Sequence, residues 1–113
     1  MHEYSLVAAL VDRVEAEARA RHATAVRGVS LRVGELSGVE PALLLSAYEI
    51  YRPGTIVAGA PLQIATVTAR WECPACARSL PRGSVLRCPE CGQEARLAEG
   101  GELLLERIEM EVP

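Results

Sequence analysis

The chain has 113 residues, enough for one domain or for a modest α/β core with a small metal-stapled appendage, and too few for two full hydrophobic cores. With 50% apolar and 24% charged residues it reads as a folded soluble protein, and with no Phe, one Trp and three Tyr its core is expected to be aliphatic. The net charge of -3 and the scatter of its twelve basic residues, all Arg by composition bias, exclude non-specific binding to nucleic acid, which needs a basic face. No run of 18 apolar residues exists and Met1-His2-Glu3-Tyr4 begins no secretory signal, so no membrane span and a cytoplasmic location are expected, where thiols stay reduced.

His2 is the first unusual residue. Methionine removal favours a small second residue, so Met1 is expected to stay, giving a free amine, one peptide nitrogen, an imidazole and a second peptide nitrogen at Glu3. If the amides deprotonate, these four nitrogens suit a metal that prefers a square plane, as Ni(II) and Cu(II) do. The alternative is a polar residue at a frayed terminus.

From Ser5 to about Arg21, Leu6, Val7, Leu10, Val11, Val14 and Ala18 recur at steps of three and four, which predicts a helix with Asp12, Arg13, Glu15, Glu17 and Arg19 on its solvated face. His22 falls at its end, near the last carbonyls. Val29, Leu31 and Val33 alternate with polar neighbours and predict a strand over about 26–36, broken by Ser37-Gly38. Pro41 suits a first helical turn, Leu43, Leu44, Ala47, Ile50 and Tyr51 follow at helical spacing, and Arg52-Pro53-Gly54 closes that helix.

A second strand is predicted from Leu62 to Trp71. A third follows Gly100-Gly101, with Leu104, Ile108, Met110 and Val112 expected on one side and Leu103, Leu105, Arg107, Glu109 and Glu111 on the other. Between these strands lie four cysteines and the punctuation Pro74, Pro81, Gly83, Pro89 and Gly92. The order implies an α+β fold of two layers, two helices on a three-stranded sheet, with an inserted zinc-ribbon-like module. The expected division is a discontinuous α/β unit, 1–70 plus 101–113, and a zinc-binding unit, 71–100.

Cys73-Pro-Ala-Cys76 and Cys88-Pro-Glu-Cys91 form a C-x2-C-x11-C-x2-C pattern, the two arms of one tetrahedral Zn(II) site. Gly92 permits the return turn of the second arm, whereas Ala77 in the first suggests a slightly different turn. Four thiolates leave no position for water, so the site is expected to be structural. Two pairs of redox thiols, or one iron held as in rubredoxin, are the competing readings.

The opening Met1-His2-Glu3-Tyr4-Ser5-Leu6, the run Val33-Gly34-Glu35-Leu36-Ser37-Gly38-Val39-Glu40, the two cysteine pairs and the closing strand from Glu102-Leu103 to Val112 resemble, in the same order and over essentially the whole chain, the hydrogenase nickel-incorporation family, HypA with its paralogue HybF. The resemblance implies a nickel metallochaperone, not an enzyme, that delivers transiently bound Ni(II) to the [NiFe]-hydrogenase large-subunit precursor. It also implies a partner GTPase, HypB, and in some organisms urease maturation proteins. Carried over by position, His2 is a nickel ligand, the Met1 amine and the Glu3 backbone belong to the same site, and Cys73, Cys76, Cys88 and Cys91 hold zinc. Glu3 and Glu40 match acidic positions near the nickel site or at partner contacts, and an acid at a helix N-terminus also has the helix dipole to explain it. Some members carry histidines beside the cysteine pairs, which this chain lacks, so a pH-driven exchange of zinc ligands is not expected. A nucleic-acid-docking zinc ribbon and a rubredoxin-like electron carrier are the remaining function classes, the first disfavoured by the acidic charge and the second separable by colour.

Overall fold

The computed structural model describes residues 2–80 and 86–113. Met1 of the expected ligand set, and Pro81 and Gly83 of the expected turns, lie outside the described residues. The elements in chain order are α1 (His2–Ala20), β1 (Ala25–Gly34), α2 (Pro41–Tyr51), β2 (Leu62–Val67), β3 (Arg70–Glu72), β4 (Ser79–Leu80), β5 (Arg96–Glu99) and β6 (Leu103–Glu111).

The apolar stripe of α1 does what its period implies: Val7, Val11, Val14 and Ala18 are buried. Its outer face carries i,i+4 ion pairs from Arg13 to Glu17 and from Arg19 to Glu15, at 3.5 and 3.4 Å, and a third from Arg21 to Glu17. The helix ends in a Schellman turn, with His22 N–H donating to Arg19 O at 3.1 Å and Ala23 N–H to Ala18 O at 2.9 Å. His22 therefore sits where a helix end was expected, but its backbone is left-handed, with φ 54.

Two helices pack on a three-stranded sheet of order β2-β1-β6, in which β1 runs parallel to β2 and antiparallel to β6. Val26, Val29, Leu31 and Val33 of β1 meet Leu44, Ala47 and Tyr48 of α2 and the α1 stripe in one core, joined by Val57, Ala60 and Leu62. That core is aliphatic apart from Tyr48, which is fully buried and donates its hydroxyl to Ala60 O at 2.5 Å.

Two strand expectations need correction. The predicted strand from Leu62 to Trp71 is two strands: β2 ends at Val67, and β3 begins at Arg70 in a different, three-stranded sheet of order β4-β3-β5. That second sheet was not foreseen, because β4 and β5 are two and four residues long and carry little pattern. In β6 the expected sides are reversed at one end. Ser30 pairs with Arg107 and Leu31 with Leu105, so Glu106 is an extra residue that shifts the alternation. Leu103 and Leu105 consequently join Ile108 against the core, while Leu104 faces outward, half exposed.

Candidate metal centres

Each cysteine pair is carried on a short hairpin, the first between β3 and β4 of the second sheet and the second closed by an isolated bridge between Arg87 and Glu94. In the first, Cys73 N–H donates to Arg78 O at 3.0 Å and Ala77 N–H to Cys73 O at 2.8 Å. In the second, Cys88 N–H donates to Gln93 O at 2.9 Å and Gly92 N–H to Cys88 O at 2.8 Å. Ala77 and Gly92 both have positive φ, 56 and 74, so the two arms make the same turn and the different turn expected for the Ala77 arm is not found.

These turns converge the thiols. Cys73 and Cys91 sulfurs are 3.4 Å apart and Cys76 and Cys88 sulfurs 3.9 Å, and all four lie within 4.8 Å of one another. A zinc tetrahedron with ~2.3 Å bonds has sulfur–sulfur edges of about 3.8 Å, so the four thiols are gathered closely enough to share one ion. All four cysteines are free thiols, Cys73 and Cys88 buried and Cys76 and Cys91 exposed.

Backbone donors prepare the sulfurs for anionic charge. Cys76 N–H points at Cys73 Sγ at 3.3 Å and Glu90 N–H at Cys88 Sγ at 3.4 Å. The Cys76 N–H is the main reason the Cys73 thiol is held down to about 7. Its neighbour Cys76, facing Cys73 above all, is pushed up to about 12, as expected when several thiols share one small volume. A divalent cation resolves that conflict by replacing the shared protons.

Around the site, Arg78 pairs with Glu90 across the two arms at 2.9 Å. Beside Cys73, Glu72 accepts from Arg96 Nη2 at 2.8 Å and Nε at 3.0 Å, tying β3 to β5, and these bonds hold its carboxyl below the usual range. The buried residues described between 70 and 99 are few: Cys73, Leu80 and Cys88.

His2 is exposed and is the first residue of α1, and Glu3 beside it is half-buried. The helix thus starts three residues before the expected Ser5. N–H groups of a first helical turn have no intrahelical acceptor, so the nitrogens of His2 and Glu3 are not committed to the helix ladder. Tyr4 packs edge-on against Tyr51 at the C-terminal end of α2, with ring centroids 5.4 Å apart. Glu40 immediately precedes α2 in an extended conformation and makes no side-chain cap bond. It stands at the opposite end of α2 from Tyr51, about 16 Å along an eleven-residue helix. Among the described residues, the four cysteines alone form a cluster of three or more metal-ligating groups; His2, Glu3 and Glu40 belong to none.

Glu35 is a structural residue that sequence reasoning did not single out. Its carboxylate accepts the Ala69 N–H at 2.7 Å, 34 positions away. No local pattern could have announced that pairing.

The family model described as hydrogenase/urease nickel incorporation, metallochaperone, HypA, matches residues 1–110. A hydrogenase maturation factor HypA of Shewanella oneidensis is 39% identical over 98% of this chain and 96% of its own length. One of Streptomyces avermitilis is 42% identical over 98% and 88%. Among solved structures, that of a HypA protein is similar with a TM-score of 0.81 at 27% identity, over 100% of this chain and 98% of that one. The Ni metallochaperone HypA from Helicobacter pylori gives 0.73 at 27% identity, over 98% of both chains. Among the described residues no helix is long and apolar enough to cross a membrane.

Proposed function

The chain belongs to the HypA family of hydrogenase/urease nickel-incorporation metallochaperones, and from that membership we propose that it receives Ni(II), holds it at its N-terminus and hands it on during [NiFe]-hydrogenase maturation. We assign Cys73, Cys76, Cys88 and Cys91 to a structural Zn(II) and His2, the Met1 amine and the Glu3 backbone to the cargo. Zinc bound there fixes the two hairpins together and supplies no reaction chemistry, since four thiolates leave it no open position.

The observation that carries the nickel assignment is the setting of His2, exposed on the first turn of α1 and, among the described residues, outside any cluster of three or more ligand groups. A carrier must release its ion, and a ligand set made from a chain terminus can open without disturbing the core. The backbone nitrogens it would use are those a helix leaves unpaired. The residues divide accordingly into a nickel-binding unit, 1–70 plus 101–113, and a zinc unit, 71–100. No nucleophile and base are proposed, and the role is that of an accessory protein, not an enzyme.

The finer partners follow the family: the GTPase HypB as helper, the hydrogenase large-subunit precursor as recipient, urease maturation proteins where urease is served, and the cytoplasm as the place. Glu3 and Glu40 are the acidic positions through which such contacts would be made. Because Glu40 lies at the far end of α2 from the Tyr4 contact, it fits a partner contact better than a nickel ligand.

Metal analysis of protein with its native N-terminus is the direct test. One zinc per chain as purified, and one nickel more after incubation with Ni(II) without loss of zinc, is the expected result. Nickel uptake only at the expense of zinc would move the cargo to the cysteines and defeat the assignment.

A further inference from the structure

The chain passes between the two sheets twice, through 67–70 on the way out and 99–103 on the way back. Both passages are gripped by one three-residue segment at the end of β1. Gly34 N–H donates to Glu102 O at 2.9 Å, Glu35 N–H to Val67 O at 2.8 Å, and Leu36 N–H to Gly100 O at 2.7 Å. The Glu35 carboxylate adds the bond from Ala69 N–H at 2.7 Å.

Packing at this point admits no side chain. A Cβ on Gly34 would lie 2.3 Å from the carbonyl carbon and oxygen of Gly100, and one on Gly100 would lie 2.6 Å from Ala69 Cα. Three backbone segments therefore stack in direct contact. A tether meant to swing would not need glycines at van der Waals contact, nor a carboxylate bonded to the main chain of the outgoing strand.

We propose that Gly34, Glu35 and Gly100 form a clamp that locks the zinc module and the α/β body into one rigid unit, with Glu35 as its positioning residue. Glu35 acts by holding Ala69, and through Ala69 the start of β3, in register with the end of β1. Four hydrogen bonds and a glycine contact on both passages fix the module's bearing more firmly than either passage could alone. Such a clamp would add to the nickel-carrier reading, on which this consequence rests, that the cargo site is presented at a constant orientation to the zinc module.

Amide relaxation of the zinc-loaded full chain tests this. Amides of the body and those of the zinc unit, 71–100, should share one rotational correlation time. Glu35→Ala should shorten the apparent correlation time of the module amides relative to the body, and Glu35→Gln, whose amide oxygen still accepts from Ala69, should restore it. Gly34→Ala should loosen the module by a separate route, which keeps the test informative if the Glu35→Ala chain folds poorly. A parent protein whose module tumbles independently of its body would overturn the clamp. So would a Glu35→Ala chain that stays one body, or a Glu35→Gln chain that behaves like Glu35→Ala. A parent that tumbles as one body yet takes up no nickel would support the clamp and count against the carrier reading instead.

Discussion

Ala77 occupies in the first cysteine hairpin the position that Gly92 occupies in the second, with φ 56 against 74 and the same 2.8 Å bond to the carbonyl of the hairpin's leading cysteine. For an L-residue with a Cβ that conformation costs roughly 1–2 kcal/mol, a cost a glycine escapes. Ala77→Gly should therefore stabilise the zinc-loaded module by about 1 kcal/mol. Slower zinc loss to a competing chelator, with an unchanged thermal midpoint of the body, is the expected reading. Gly92→Ala should shift zinc loss the other way. Equal zinc retention in Ala77→Gly and parent would show that the metal, not the turn, dictates the hairpin.

The cysteine pairs were legible in the sequence because a C-x2-C arm carries its geometry in four consecutive residues. Helices α1 and α2 were legible for a related reason, since their apolar steps repeat over several turns. Strand β6 was legible as a strand but not in its facing, because one extra residue, Glu106, reverses the alternation and only the partner strand reveals it. The split between β2 and β3 was hidden as well: Thr66 to Glu72 keeps a strand-like composition while the chain changes sheets. At that change the Ala69 N–H donates to the Glu35 carboxylate, a contact across 34 residues that no local window contains.

The buried residues described between 70 and 99 offer little apolar burial, so the metal must supply the cohesion. Cys73→Ser, which removes a fully buried ligand, and Cys91→Ser, which removes its 3.4 Å neighbour, should each release zinc. Amide signals of β3, β4 and β5 should then collapse toward unfolded values. The body should persist, because the core of α1, α2 and its sheet contains none of those residues. Full zinc occupancy in both variants would remove the four-thiolate assignment.

Tyr48 links stability to alkaline pH. Burial raises its phenol from 10.0 to about 12, because the charged form would have to be kept out of water. The folded pKa lies above the unfolded one, so folding keeps the proton. That contribution is complete below about pH 10 and is lost progressively as pH climbs to about 12. Denaturation midpoints measured across that window should fall, and the fall should be reduced in Tyr48→Phe. At neutral pH the same variant should lose about 1–3 kcal/mol, since it leaves the Ala60 carbonyl without its hydroxyl donor.

The sharpest separation of folding from metal delivery lies at His2. Its side chain is exposed and precedes the first buried residue of α1, Val7, so His2→Ala should change stability by no more than about 0.5 kcal/mol. Zinc should stay at one ion per chain, because the cysteines are held by hairpins that His2 does not belong to. Nickel affinity should fall sharply, since imidazole is the one side-chain nitrogen in the proposed set and anchors the metal while neighbouring amides give up their protons. Acetylating the amine, or extending the chain ahead of Met1, should weaken nickel similarly if the amine is a ligand. In cells, hydrogenase activity lost with His2→Ala should return when the medium holds excess nickel. Calorimetric titration decides the matter: a His2→Ala chain that binds nickel as tightly as the parent would remove the ligand assignment and leave the cargo site to be sought elsewhere.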